Sequence, residues 1–167
     1  EIIEFPCIKI SAESCEIEEV FHQYVRPKYH PVLTSFCTDL TGITQEMVCN
    51  QPYFEEVFVN FQNWLEETGA CSSKSNSIFV TSGDWDLKIM LPHQCEQLGL
   101  EIPPQMKYWI DIKQTFVTAT GQYPRGIIDL MNRLELNHTG RLHSGIDDCR
   151  SIVSIVKALV SKGTHPL

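Results

Sequence analysis

The residues best suited to chemistry lie where the last predicted helix begins. His143 stands five residues before Asp148, and Ile152, Ile155 and Leu159 follow Asp148 at helical spacing. Asp148 therefore heads the apolar stripe that we expect to face the core. A carboxylate in that position needs a cation, a metal ion or a proton, because burial penalises its charge. The alternative is a carboxylate stabilised only by the positive end of its own helix.

The neighbouring Asp147 is predicted to have a structural role. It heads a row of small or polar helix positions, Ser151, Ser154 and Ala158, and it follows Ser144 at the spacing of a capping box. In that motif the serine accepts a hydrogen bond from an amide at the helix start, and the acidic side chain reaches back. The two adjacent aspartates are therefore expected to differ in function.

A second acidic site is predicted at Asp84-Trp85-Asp86, where a short apolar strand passes into a helix. Open α/β sheets bind ligands at such strand ends. Asp84 is well placed to cap the helix, which leaves Asp86 to act with Asp148 as an oxygen ligand for hard divalent cations. Two such cations can stabilise the attacking and leaving oxygens of a phosphodiester. His143 is a suitable base for the water, because histidine titrates near neutral pH.

Other chemistries are disfavoured. Cys149 is a poor nucleophile for His143, because it lies in a helix interior six residues further on. The six histidines do not pair with one another or with cysteine at zinc-ligand spacing. A formal net charge of −8 argues against a protein that coats duplex nucleic acid through phosphate contacts. A site for one short strand end remains compatible with that charge, to which clustered metal-binding acids would contribute.

Length and composition indicate one globular domain. The chain has 167 residues, of which 43% are hydrophobic and 20% charged. It contains neither a stretch long enough to span a membrane nor a secretory signal. Its seven cysteines are scattered and never form a C-x-x-C pair, which favours free thiols in a reducing compartment, the cytoplasm or the nucleus.

The periodicity predicts strands first and then alternating strands and helices, hence a mixed α/β sheet covered by helices. The opening strands, at 2–10 and 17–25, form a hairpin in which Pro6 suggests a bulge or an interruption in the hydrogen-bond ladder. A helix opened by Pro52 and ended by Gly69 has an aromatic stripe that we assign to core packing rather than to base stacking. The remaining predictions are short helices at 33–40 and 45–49, the second capped by Thr44, a polar loop at 71–77, strands at 78–80 and 108–112, and helices at 87–98, 112–117, 127–134 and 149–162.

Four motifs in register cover nearly the whole chain and together resemble the DEDDh 3′-to-5′ exonucleases. The similarity is to the exoribonuclease group that includes the histone-mRNA 3′-end exonuclease, and within it to the prion-protein-interacting-protein type. The motifs are Glu-Ile-Ile-Glu-Phe-Pro at 1–6, Leu-Thr-Gly-Ile-Thr at 40–44, Gly-Asp-Trp-Asp at 83–86 and Arg-Leu-His-Ser-Gly-Ile-Asp-Asp at 141–148.

This resemblance implies a ribonuclease H-like fold and the removal of 5′-mononucleotides, such as AMP, from the 3′ end of single-stranded RNA. By motif position, Asp86 and Asp148 match the third and fourth metal-binding acids of a site that holds two Mg²⁺ or Mn²⁺ ions. His143 matches the general base, which also contacts the terminal nucleotide. Leu40 and Thr41, with Trp85, match the parts that hold the last sugar and base. For Trp85, a core aromatic under the helix start is the alternative.

The chain departs from the family pattern in one respect. The family's first motif, Asp-x-Glu, lies upstream of the Glu-Ile-Ile-Glu-Phe-Pro segment, and Glu1 and Glu4 do not replace it. We therefore expect residues 1–167 to be a single exonuclease domain that lacks its N-terminal, central strand, is part of a longer chain, binds metal weakly, and has doubtful activity as it stands. The alternative functions are a catalytically silent RNA-binding or protein-interaction module and, on fold analogy alone, a DNA exonuclease.

Overall fold

The computed structural model describes residues 1–70 and 77–163 and confirms a mixed α/β fold. The predicted polar loop at 71–77 lies, apart from its last residue, outside the described residues. Two short turns, π-helical at Trp85–Met90 and 3-10 at Pro104–Lys107, accompany the regular elements. These are β1 Glu4–Ile10, β2 Ile17–Tyr24, α1 Ser35–Thr41, α2 Gln45–Val48, α3 Phe54–Glu67, β3 Phe79–Thr81, α4 Leu91–Leu98, β4 Trp109–Asp111, α5 Ile112–Thr120, α6 Ile127–Arg133 and α7 Gly145–Ser161.

The opening hairpin is confirmed, but its irregularity is not at Pro6. Strands β1 and β2 pair antiparallel, and Pro6 keeps regular register opposite His22. The register shift falls instead between Lys9 and Ile10, next to the turn. A proline fits in a strand where its missing N–H is not required by the neighbouring strand, so the prediction of a bulge at Pro6 was wrong.

Within the described residues, the strands of this mixed α/β fold lie in two separate pairs. β1 and β2 form one antiparallel pair, while β3 and β4 form a separate parallel pair. Phe5 of β1 and Phe79 of β3 nevertheless pack on the same ring, that of Phe61 in α3, at centroid distances of 4.9 and 6.4 Å. The two sheets therefore share one helical layer without being joined to each other.

The aromatic stripe of α3 is core, as predicted, and buries Phe54, Phe58 and Phe61. The helix begins at Phe54 with Tyr53 as N-cap, so Pro52 precedes the first turn instead of opening it. Gly69 follows the helix end with φ +67°, a left-handed conformation that glycine adopts at little cost.

A second core packs α5 and α6 against α7, which presents Ile155 and Leu159 as fully buried side chains. The apolar stripe predicted from Asp148 onward is therefore real. The six cysteines in the described ranges form no disulfide. None of the helices in those ranges is long and apolar enough to cross a bilayer.

Candidate active site

Asp148 lies in the first turn and a half of α7, where its backbone N–H donates to Ser144 O at 2.9 Å. Its Oδ1 is buried and has no hydrogen-bond partner among the described residues. Burial raises the pKa of this carboxyl above its usual range, and the nearby charges of Glu4 and Asp147 act in the same direction. A buried carboxylate oxygen without a donor is poorly stabilised by its own helix, so it is available to a cation.

His143 lies on the loop that leads into α7, with an exposed side chain and a left-handed backbone at φ +64°. The turn around it is closed by the Ser144 N–H, which donates to Arg141 O at 3.3 Å. His143 is close enough to Asp148 to oppose the rise in the pKa of that carboxyl. The two predicted site residues His143 and Asp148 therefore lie within electrostatic range of each other.

Asp86 lies in the π-helical turn Trp85–Met90 that follows β3. π-helical turns inside helices are frequent at functional sites. The side chain is open to solvent, yet desolvation by the surrounding protein raises the pKa of its carboxyl. Lys113 opposes this rise with its positive charge.

The thiol of Cys149 is affected by both acidic sites. Burial raises the pKa of its thiol far above the usual range, and the charges of Cys7, Asp86, Glu4 and Asp148 raise it further. Asp86 and Asp148 are therefore both within electrostatic range of the Cys149 thiol. A thiol in this environment stays protonated, which agrees with its exclusion as a nucleophile.

The predicted nucleotide contacts are accessible. Trp85 is 64% exposed, which rules out the alternative of a core aromatic, and Leu40 is 40% exposed. The Thr41 hydroxyl donates to Cys37 O at 2.8 Å and accepts from the Ile43 N–H at 3.1 Å. Thr41 thus shapes the end of α1, while Leu40 presents an apolar side chain to solvent.

Glu4 is a structural member of the site that sequence reasoning missed. Its carboxylate accepts hydrogen bonds from the backbone N–H groups of Gly145 (2.7 Å) and Ile146 (3.2 Å) and contacts His22 Nε2 at 2.8 Å. Ser144 is the N-cap of α7 but makes no side-chain capping bond, so the predicted capping box with Asp147 is wrong. Glu4 caps the helix from 141 residues away, where no local sequence signal could have shown it.

Replacing Glu4 with alanine is expected to lower the free energy of unfolding by about 1–2 kcal/mol, because two amides at the start of α7 lose their acceptor. Urea denaturation measures this change. Glu19→Ala on the exposed face of β2 is the matched control and should change stability by less than about 0.5 kcal/mol. Equal effects of the two substitutions would show that the Glu4 cap does not stabilise the helix start.

Lys113 was also missed, although the ends of parallel strands could have indicated it. Asp111, at the end of β4, accepts from the Gly83 N–H at 2.8 Å and from the Lys113 N–H at 2.9 Å. This arrangement holds the two strand ends together. It places the Lys113 ammonium so close to Gly83 that a Cβ there would lie 3.3 Å from Nζ.

The donor set fits a divalent cation only in part. Within residues 1–70 and 77–163, no three histidine, cysteine or carboxylate side chains converge on a common point. The unpartnered Asp148 Oδ1 and the solvent-accessible Asp86 are hard oxygen donors of the kind that Mg²⁺ and Mn²⁺ prefer. The two aspartates therefore have the donor chemistry for such an ion, although no third side chain of this kind converges with them in the described residues.

Comparison with known proteins agrees with this geometry. The exonuclease family model RNase_T matches residues 1–156. Human ERI1 exoribonuclease 3 is 48% identical over 164 residues, which cover 98% of this chain and 49% of that protein. Human 3′-5′ exoribonuclease 1 is 34% identical over 168 residues, which cover 98% of this chain and 47% of that protein. The chain thus spans about half the length of these relatives.

A solved structure matches the fold closely. The nuclease domain of 3′hExo, a DEDDh family member bound to rAMP, superposes with a TM-score of 0.92 at 33% identity, over 98% of this chain and 82% of that one. DEDDh exonucleases generally use divalent metal ions. With its four motifs, its fold and its matched length, the chain belongs to the exonuclease family, among relatives that are 3′-5′ exoribonucleases.

Proposed function

We propose that this domain is a metal-dependent 3′-to-5′ exoribonuclease that releases 5′-mononucleotides from the 3′ end of single-stranded RNA. The observation that carries the proposal is the buried Asp148 Oδ1, which has no hydrogen-bond partner among the described residues and lies within electrostatic range of the exposed His143. An acid that attracts a cation and a base that is open to water are the two groups that phosphodiester hydrolysis requires. The exoribonucleases among the relatives and the rAMP-bound structure support the choice of RNA as the substrate.

In this proposal Asp86 and Asp148 would hold Mg²⁺ or Mn²⁺, as two ions once the further acids of the family pattern are present. Bound ions would stabilise the charge that develops on the attacking and leaving oxygens. His143 accepts the proton of the attacking water at an imidazole nitrogen. Trp85 stacks on the terminal base, and Leu40 and Thr41 contact the last sugar, which would make binding tolerant of sequence.

We further propose that residues 1–167 are one exonuclease domain whose sheet is completed by an upstream strand carrying Asp-x-Glu. The support is the pair of separate sheets, in which β1 and β3 rest on the same α3 ring without pairing with each other. A strand between them would pair backbone groups of both neighbours and would bring two more acids beside Asp86 and Asp148. The absence of disulfides among the described cysteines supports the cytoplasm or nucleus as its location.

The test compares residues 1–167 with a form extended upstream by about 30 residues, roughly one strand and its loop. Both receive 5′-labelled single-stranded RNA, or the matching DNA strand, with Mg²⁺ or Mn²⁺. We expect the extended form to shorten RNA stepwise and to release 5′-mononucleotides, and its His143→Ala variant to be inactive.

Two other outcomes would contradict this proposal. If the extended form binds metal and RNA but never shortens the strand, the domain is a catalytically silent binding module. If it degrades the DNA strand in preference to RNA, the domain is a deoxyribonuclease.

A further inference from the structure

The loop that carries His143 is tied to the end of α1 by Arg141. The guanidinium Nη2 donates to Asp39 O at 2.6 Å, across 102 residues of chain. In a continuing helix that carbonyl would accept from the amide of Ile43, but the Ile43 N–H bonds to Thr41 Oγ1 instead. Arg141 thus supplies the donor to a carbonyl at the negative end of α1, where a cation is favoured.

Gly42 provides the space for this contact. Its φ of +78° ends α1 in a left-handed conformation, and its N–H bonds to Thr38 O at 2.8 Å. A Cβ at this position would lie 2.6 Å from Arg141 Nε and 2.8 Å from Cδ. The glycine of the Leu-Thr-Gly-Ile segment is therefore needed both for the turn and for the close passage of the arginine side chain.

The backbone of Arg141 is fixed independently of its side chain. Its N–H donates to Asp147 Oδ2 at 2.9 Å, and Asp147 Oδ1 pairs with Arg150 at 2.9 Å. The Arg141 N–H, together with Arg150, holds the pKa of the Asp147 carboxyl below its usual range. Gly140, with φ +86°, allows the Asp147 carboxyl to lie close to the backbone before Arg141, because a Cβ at position 140 would collide with that carboxyl.

We propose that Arg141 is a positioning residue that couples the nucleotide-contacting segment Leu40–Thr41 to the general base His143. Its side chain is bonded to α1 and its backbone to α7, and His143 follows two residues later. The coupling rests on the proposed exoribonuclease function. Its consequence is that the 3′-terminal nucleotide and the base that acts on it keep a fixed relation during catalysis.

The coupling predicts a loss of rate that is larger than the loss of nucleotide affinity. In the extended protein, Arg141→Gln should lower kcat by about 10- to 100-fold, as misplacement of a catalytic group does. The Kd for AMP should rise less than about threefold, because the side chain is bonded to Asp39 O and not to the ligand. Arg133→Gln is the matched control, since Arg133 on α6 also bridges two segments: it contacts Asp129 on its own helix and Gln122 in the segment that precedes α6.

Two further variants address the geometry. Arg141→Lys keeps the charge but loses the planar fork that reaches Asp39 O, so its kcat should fall nearly as far as that of Arg141→Gln. Gly42→Ala displaces the arginine and should give the same kinetic pattern. A kcat like that of Arg133→Gln, or a rise in KM and Kd with unchanged kcat, would overturn the proposal; the second result would indicate direct contact with a phosphate.

A measurement without catalysis separates this proposal from the proposed function. In residues 1–167, labelled with ¹⁵N, Arg141→Gln should shift the backbone amide resonances of Thr41 and Gly42 together with that of His143. Shifts confined to one of these segments would overturn the coupling, whether or not RNA is cleaved. If the wild-type extended protein leaves RNA intact while both segments shift together, the proposed function fails and the coupling stands.

Discussion

Replacing Asp148 with asparagine is expected to stabilise the metal-free protein while it abolishes metal-dependent hydrolysis of RNA. Asp148 Oδ1 is buried and has no hydrogen-bond partner in the described part of the chain, and burial is the main reason that the pKa of its carboxyl is raised. In the unfolded chain the same group titrates near its ordinary value of about 3.9. Between the pKa of Asp148 in the unfolded chain and its higher pKa in the folded protein, the folded state binds more protons than the unfolded state. The free energy of unfolding therefore falls as the pH rises through this range.

Above that pH range Asp148 is ionised in both states, so the cost of burying its charge no longer changes with pH. Asparagine removes this cost because its amide carries no charge. We expect the free energy of unfolding at neutral pH to rise by about 0.5–2 kcal/mol, the usual gain when a strained functional residue is neutralised. Activity of the extended protein should fall at least about 10³-fold, because a ligand to the catalytic ions is lost. Urea denaturation in the presence of a chelator, at a series of pH values, measures the first change.

Asp147→Asn is the matched control, and it should change the free energy of unfolding in the opposite direction. The Arg141 N–H and Arg150 lower the pKa of the Asp147 carboxyl, so this group contributes stability that is present above its unfolded pKa and lost as the pH falls through its folded pKa. Its replacement should therefore destabilise the protein at neutral pH. If both substitutions destabilise the protein equally, Asp148 is only a carboxylate stabilised by its own helix, and its assignment as a metal ligand is wrong.

The parts of this site that follow helical periodicity could be predicted from the sequence. The inward position of Asp148 follows from its spacing to Ile155 and Leu159, which are fully buried. The same reasoning predicts a helix at 87–98 after Asp86, and the structure has a π-helical turn at Trp85–Met90 followed by α4 at Leu91–Leu98. Local patterns suffice here because the angle between residues on one helix is fixed by the helix itself.

The contacts that hold these helices in place could not be predicted, because their partners are distant in sequence. The Glu4 carboxylate replaces the expected Ser144 capping box, and the Arg141 guanidinium reaches Asp39 O. Both contacts use a charged side chain to satisfy backbone groups at a helix end, and many other charged residues could have done so. The exposed position of Trp85 could not be predicted either, since an aromatic residue at a helix start is compatible with core packing or with ligand stacking.

Replacing His143 should remove activity without removing the fold, and two substitutions separate chemistry from backbone conformation. The residue has φ +64° and an exposed ring. His143→Ala and His143→Gly both delete the general base, so each should lower kcat of the extended protein by about 10²- to 10⁴-fold. Glycine adopts a positive φ at little cost, whereas alanine is strained there, so the glycine variant should be the more stable of the two by about 1 kcal/mol.

Activity and stability are therefore expected to diverge between the two variants. Urea denaturation should separate the two variants by their backbone strain. Single-turnover cleavage of 5′-labelled RNA should give them equal rates, because both lack the general base. Added imidazole should partly restore cleavage by His143→Gly, because the vacated space beside Asp148 is open to solvent and the missing group is a proton acceptor. If cleavage instead follows stability, with the glycine variant close to wild type, then His143 shapes the loop and another group activates the water.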